Sequence, residues 1–225
     1  MSHLRVDEAR ALLGDDVLGA AEVVAAFGGA VAAVRDRPIP FSEAELVAAR
    51  DRGEMLVLRA AHNQQGVGVT LLHMIERFPE LFDQKLLRQV GYQLKDEWGI
   101  LLEPLAATET CTDGWALVRK DILAETRNLP FDDQEPALRR YAEQVRQEAV
   151  RRRTVVEAVY DSVVYCVARQ KRLLEKSWDW SGSRTLDGGY LNVGGFGARG
   201  MQILAYSKAI RHGALGVCPT RQPSR

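Results

Sequence analysis

WDWSGSRTLDGGYLNVGGFGARG, residues 178–200, decides how this chain is read: two tryptophans, an apolar run and seven glycines. Gly195, Gly197 and Gly200 satisfy G-x-G-x-x-G behind a strand-like segment, which raises a dinucleotide loop. Such a loop needs a helix opening at the third glycine and, about twenty positions on, an acidic residue for the ribose. MQILAYS follows instead, and no Asp or Glu occurs after Asp187. The Lys-Ser/Thr pair of a P-loop is missing as well. The glycines are therefore geometric. Asp187-Gly188 turns the chain into YLNV, Gly194 and Gly195 allow a bulge or a close backbone approach, and Ala198 to Gly200 turns it into MQILAY. No cofactor is expected.

Outward from this stretch, the chain has 225 residues, 46% hydrophobic and 27% charged, enough to bury a core without disulfide or metal staples. Acidic residues stand in the N-terminus where a signal peptide needs an apolar centre, and no run approaches the length of a membrane span, so the expectation is a cytoplasmic protein with no membrane partner. Cys111, Cys166 and Cys218 are too few and too far apart for a disulfide framework or a metal knuckle. His3, His62, His73 and His212 have no second His or Cys at helical spacing, so no metal is expected. Formal charge sums to zero, yet residues 1–136 hold 23 acidic and 14 basic side chains while 137–225 hold 7 and 16. Two halves attracting across an interface account for that polarity; a basic C-terminal half meeting an anionic partner is the alternative.

Along the chain, residues 1–38 read as an N-terminal helical unit broken near Gly14. Residues 39–176 read as an α+β body. Ser42 and Glu45 form a capping box, with Phe41 set to staple onto Leu46 and Gly53 as the stop. EMLVLRA is a buried strand, TLLHMIERF a helix from Thr70, GYQLKDEWGILLEPL ambiguous in type, and GWALVRKDIL a strand introduced by Asp113 and Gly114. Residues 134–152 read as one charged, solvated helix interleaved with Glu143 and Glu148. The segment from Thr154 to Lys176 reads as the best helix, capped by Thr154 and Glu157, with Val156, Val159, Val163, Val167 and Leu174 as its stripe. Residues 177–225 read as a compact, glycine-rich antiparallel β region ending in a tail, PTRQPSR. The fold class is α+β.

Val193, Gly194, Gly195 and Phe196, together with Leu215, Gly216, Val217, Cys218 and Arg221, carry a resemblance. Residues 177–221 resemble the C-type-lectin-like module of formylglycine-generating-enzyme relatives and of bacterial proteins diversified by retroelements. This chain departs from that pattern in having Phe196 where Trp is usual, Val217 where Phe is usual and Cys218 where Arg is usual. Residues 39–176 are similar to an uncharacterised bacterial protein family. The lectin-like resemblance implies recognition of a protein or small-molecule ligand, presented on the last strands and loops: Tyr206, Ser207, Lys208, Arg211 and His212 are the candidate ligand-binding residues, an aromatic and cationic set of the kind interfaces favour. The oxygen-dependent enzymes of that superfamily need two neighbouring reactive cysteines, and Cys218 has none beside it.

Two other functions compete with a non-catalytic binding protein. Glu97, Asp121, Glu125, Asp132 and Asp133, with Arg127, could serve acid–base chemistry of a hydrolase kind, although nothing in the sequence fixes a pair. The basic helices of 139–176 could hold nucleic acid, although no aromatic stacking positions run along them, so this partner is not expected.

Overall fold

The computed structural model describes residues 4–28, 37–87, 99–146 and 149–223; Glu148, His3 and all of GYQLKDEW, Glu97 included, lie outside them. The fold is mixed α+β. In chain order, α1 (Val6–Leu13), β1 (Val17–Leu18), α2 (Ala20–Phe27), α3 (Glu43–Asp51) and β2 (Glu54–Arg59) come first. Three short helices follow: α4 (Leu71–Arg77), α5 (Gln84–Leu87) and α6 (Pro104–Thr108). Next come β3 (Gly114–Arg119), α7 (Glu135–Val145), β4 (Val150–Arg152) and α8 (Val155–Arg169). The chain closes with β5 (Trp178–Arg184), β6 (Tyr190–Gly197), β7 (Gly200–Tyr206), β8 (Leu215–Gly216) and β9 (Pro219–Arg221).

These strands make two sheets, ordered β1-β2-β3-β9-β4 and β7-β6-β5-β8, and α8 touches both. The Thr154 hydroxyl accepts from the Glu157 amide at 3.2 Å and Glu157 answers on the Thr154 amide at 2.9 Å, closing the expected capping box. Every residue from Val155 to Tyr165 is then buried, so α8 is a core helix covered all round and carries more than the single stripe read from its period. Burying each such valine contributes about 1.5–3 kcal/mol, which outweighs the few tenths by which β-branching disfavours a helix. The helix also ends earlier than its sequence suggests. Gln170 turns left-handed at φ 54°, Leu174 does so at φ 55°, and Leu174 leaves the stripe assigned to it.

The first sheet has all six β2 residues buried and pairs β2 with β3 antiparallel from Glu54↔Arg119 to Arg59↔Gly114. The α3 box forms as expected, with Ser42 and Glu45 bonded both ways. Two readings are corrected in this sheet. Residues 134–152 are not one helix: Arg146 closes α7 in the left-handed region at φ 51°, and Val150–Arg152 is an edge strand. PTRQPSR is not a tail, because Pro219–Arg221 forms β9, a strand inserted between β3 and β4. Leu117 and Val150 both pair with Arg221, and it is their unpaired backbone edges that draw in a segment with so little β-propensity.

The second sheet follows the glycine argument. β5 and β6 are joined through a turn at Asp187-Gly188, and β6 and β7 close on Gly197↔Gly200, with a register shift after Gly194. Gly194 is required by close approach: a Cβ there would overlap the Ser177 carbonyl. Gly200, at φ 102°, lies against the Phe82–Asp83 backbone, where the Asp83 amide donates to Met201 at 3.0 Å. No helix starts at Met201. One correction applies: β8 runs parallel to β5, so the sheet is mixed and not purely antiparallel.

Candidate functional site

β5 and β6 present two faces of opposite character. On the inner face Ser183 accepts from the Val155 amide at the start of α8, Asp179 meets Arg153 just before it, and Ser181 donates to the Leu191 carbonyl of β6. Asp179 accepts from Arg153 Nε at 2.8 Å and from the Cys218 amide at 2.8 Å. Arg153 continues to Asp161 at 3.1 Å, and Asp161 takes a bidentate pair from Arg59 at 2.7 and 3.0 Å. Arg59 also reaches Glu157 at 2.9 Å, which Arg151 grips with two bonds of 2.6 Å. Arg59, Arg153, Asp161 and Asp179 are at most 1% exposed, so this chain of charges links β2, α8 and β5 through the core. Burial raises the Glu157 carboxyl, and Arg59 and Arg151 more than offset it, holding it at about 2. Asp179 is instead raised by burial, with Arg153 only partly compensating. The ladder leaves no carboxylate free to act on a substrate; its geometry is that of a scaffold.

The outer face carries three cross-strand rows that follow from the register: Arg184–Tyr190–Tyr206, Trp180–Asn192–Leu204 and Trp178–Gly194–Gln202. Phe131 packs edge-on against Trp180 and close to Tyr190, with ring centroids 5.3 and 3.9 Å away, while Leu215 and Ile210 complete the cluster. Arg152, buried, sits 3.9 Å over the Phe131 ring and donates to the Phe131 and Trp180 carbonyls, which fixes the cover to the sheet.

At the end of this face, the first row opens into a cleft of about 410 Å³. Arg184 lies 4.5 Å over the Tyr190 ring and donates to its hydroxyl. Tyr206, Ser207 and Lys208 line the opposite wall, and Asp187, bonded to Thr185 and the Gly189 amide, closes the turn. Three of the five residues expected to bind ligand thus share one cleft. The other two stand elsewhere: Arg211 faces Asp133 at 3.9 Å, and His212 packs edge-on to Trp178, its Nδ1 accepting from the Ala214 amide. Lys208 itself pairs with Asp132 at 2.8 Å, and both are more than half exposed. Arg184 and Tyr190 escaped the sequence reading because the β5–β6 register shifts between Trp180 and Arg184, which alternation alone does not reveal.

Among the described residues, the acidic set expected for acid–base work does not converge; Glu97 lies outside them. Asp121 accepts from Ser177 Oγ at 2.6 Å and lies 3.7 Å from Arg127, Asp132 and Asp133 face Lys208 and Arg211, and Glu125 is exposed. A second cleft, about 440 Å³, gathers His62, His73, Glu76 and several threonines, and no group able to hold a metal occurs among the described residues. The thiols of Cys111 and Cys218 are pushed well up by burial, and that of Cys166 is raised, which makes them poor nucleophiles. Of the basic 139–176 segment, Arg152 and Arg153 are buried and paired. No helix among the described residues is long and apolar enough to cross a membrane. Compared with known proteins, the chain matches no family model, no curated protein and no solved structure.

Proposed function

We propose that this is a non-catalytic recognition protein whose C-terminal β face binds a protein or small-molecule partner at the cleft between Arg184 and Lys208. The observation that carries the reading is the cleft itself. Two tyrosines and Arg184 stand on strand ends of a sheet held from behind by a fully buried ion-pair ladder, so these walls are presented rigidly, and Lys208 follows just past the end of β7. Tyr and Arg bodies of this kind contribute most to recognition surfaces. The C-type-lectin-like likeness of residues 177–221 fits the same reading, since that module presents side chains to a partner from its last strands and loops.

A thermal-shift screen of the full chain against small molecules and peptides tests it. Ligands that raise the unfolding midpoint are expected to lose their effect in the double variant Tyr206→Ala, Lys208→Ala and to keep it in Arg211→Ala, which lies outside the cleft. Ligands that stabilise both variants equally would move the site elsewhere, and conversion of a ligand to product would replace recognition by catalysis.

A further inference from the structure

Four of the nine buried side-chain polar atoms without a hydrogen-bond partner among the described residues sit together on the outer face of the second sheet. They are Trp178 Nε1, Trp180 Nε1, and both Nδ2 and Oδ1 of Asn192. The register explains the clustering. Asn192 lies directly across from Trp180 on one side and Leu204 on the other, between Tyr190 and Gly194 on its own strand, so it occupies the middle of the face. Gly194 brings no side chain to the next position along. Asn192 and Trp180 are both 0% exposed.

A primary amide offers two donors and an acceptor with two lone pairs, and an indole offers one donor. Leaving all of these buried atoms unmet in an aromatic layer is far more costly than placing leucine and phenylalanine there, which would pack the same space. The inner face of the same strands meets that standard: Ser181, Ser183 and Asp179 are all bonded. The outer-face atoms therefore await a partner from outside the chain. Four N–H donors on three nitrogens and one acceptor oxygen among aromatic rings, with no ionised group in the central row, call for a small neutral molecule or group that accepts from N–H and donates to Oδ1. Amides and alcohols have that chemistry, as does water.

We infer that Trp178, Trp180 and Asn192 form a closed binding compartment for a neutral amide- or alcohol-type group, covered by the segment 207–214. That segment supplies Ile210 to the aromatic cluster. It is tied down by the backbone bonds Phe131 to Lys208 and Asn128 to His212, and by the exposed pairs Lys208–Asp132 and Arg211–Asp133. Exposed pairs of this kind hold weakly, so the cover can open without disturbing the core.

The test is an NMR titration of the full chain with acetamide, following the indole N–H signals of Trp178 and Trp180 and the side-chain amide of Asn192. Expected are shifts of all three on one saturating curve, abolished in Asn192→Leu and weakened at least fivefold in Trp180→Phe, which keeps the ring and removes the donor. If Asn192→Leu does not fold, Trp180→Phe alone decides. Contacts of the three groups to long-lived water with no response to acetamide would make this a structural water site and overturn the proposal; absence of both water contacts and shifts would do the same. Acetamide is uncharged and needs no contact with Arg184, which lies outside the cover, so the Arg184→Ala variant should respond like the parent. The outcome is therefore separable from that of the neighbouring cleft.

Discussion

The inner and outer faces of β5–β6 are a few ångströms apart, built from alternate residues of the same strands, and they treat buried polarity in opposite ways. Inside, Asp179, Arg153, Asp161 and Arg59 form a ladder in which each charge has an opposite neighbour within 3.1 Å. Outside, Asn192 and the Trp180 indole are equally hidden, and they and the indole N–H of the partly buried Trp178 have no partner among the described residues. Polarity that is fully satisfied fixes one arrangement of sheets and helix. Polarity left open has to be met by a partner that the fold does not supply, a ligand or a water.

The contrast can be broken most forcefully at Asp161. Asp161→Ala strips Arg59 and Arg153 of a shared partner and is expected to cost about 3–5 kcal/mol, read from denaturant unfolding, because two guanidinium groups stay buried with too little opposite charge. Gly194→Ala should follow, at about 3 kcal/mol in the same assay, since the new methyl overlaps the Ser177 carbonyl; Gly213→Ala, with open space around it, is the control.

Acid tests the ladder from another side. Glu157 is held at about 2 against an ordinary 4.5, so its contribution is fully present above pH 4.5 and is lost as pH falls toward 2, by about 3 kcal/mol. Asp179, raised by burial, acts in the opposite sense, and Glu157→Gln isolates the first effect by flattening the acid limb of the stability profile. The smallest effect is expected at the rim. Lys208→Ala should leave the unfolding midpoint unmoved and alter only ligand binding, because its pair with Asp132 lies in solvent.

Local rules made much of this legible. The two capping boxes and the glycine turns of the second sheet follow from short-range chemistry and appear as read, and strands form where EMLVLRA and GWALVRKDIL were expected, the second ending at Arg119, four residues early. What escaped depended on distant partners. Arg151, Arg152 and Arg153 look like a solvated run until Glu157, Gln134 and Asp179 are brought beside them. Pro219, Thr220 and Arg221 have the composition of a loose end, and only the free edges of β3 and β4 make them a strand. The cleft was half visible: Tyr206, Ser207 and Lys208 could be placed by their position between the last β segments, while Arg184 and Tyr190 required a register that no local pattern reveals.

The insertion of β9 has a consequence for how the molecule is made. Glu54 and Arg221 meet across 167 positions of chain, and everything in the second sheet is threaded between them. The first sheet therefore stays split during synthesis until residues 219–221 emerge, and its two halves must wait, edges exposed, for a three-residue wedge. Such a long wait predicts slow maturation and a need for protection from self-association before the wedge arrives.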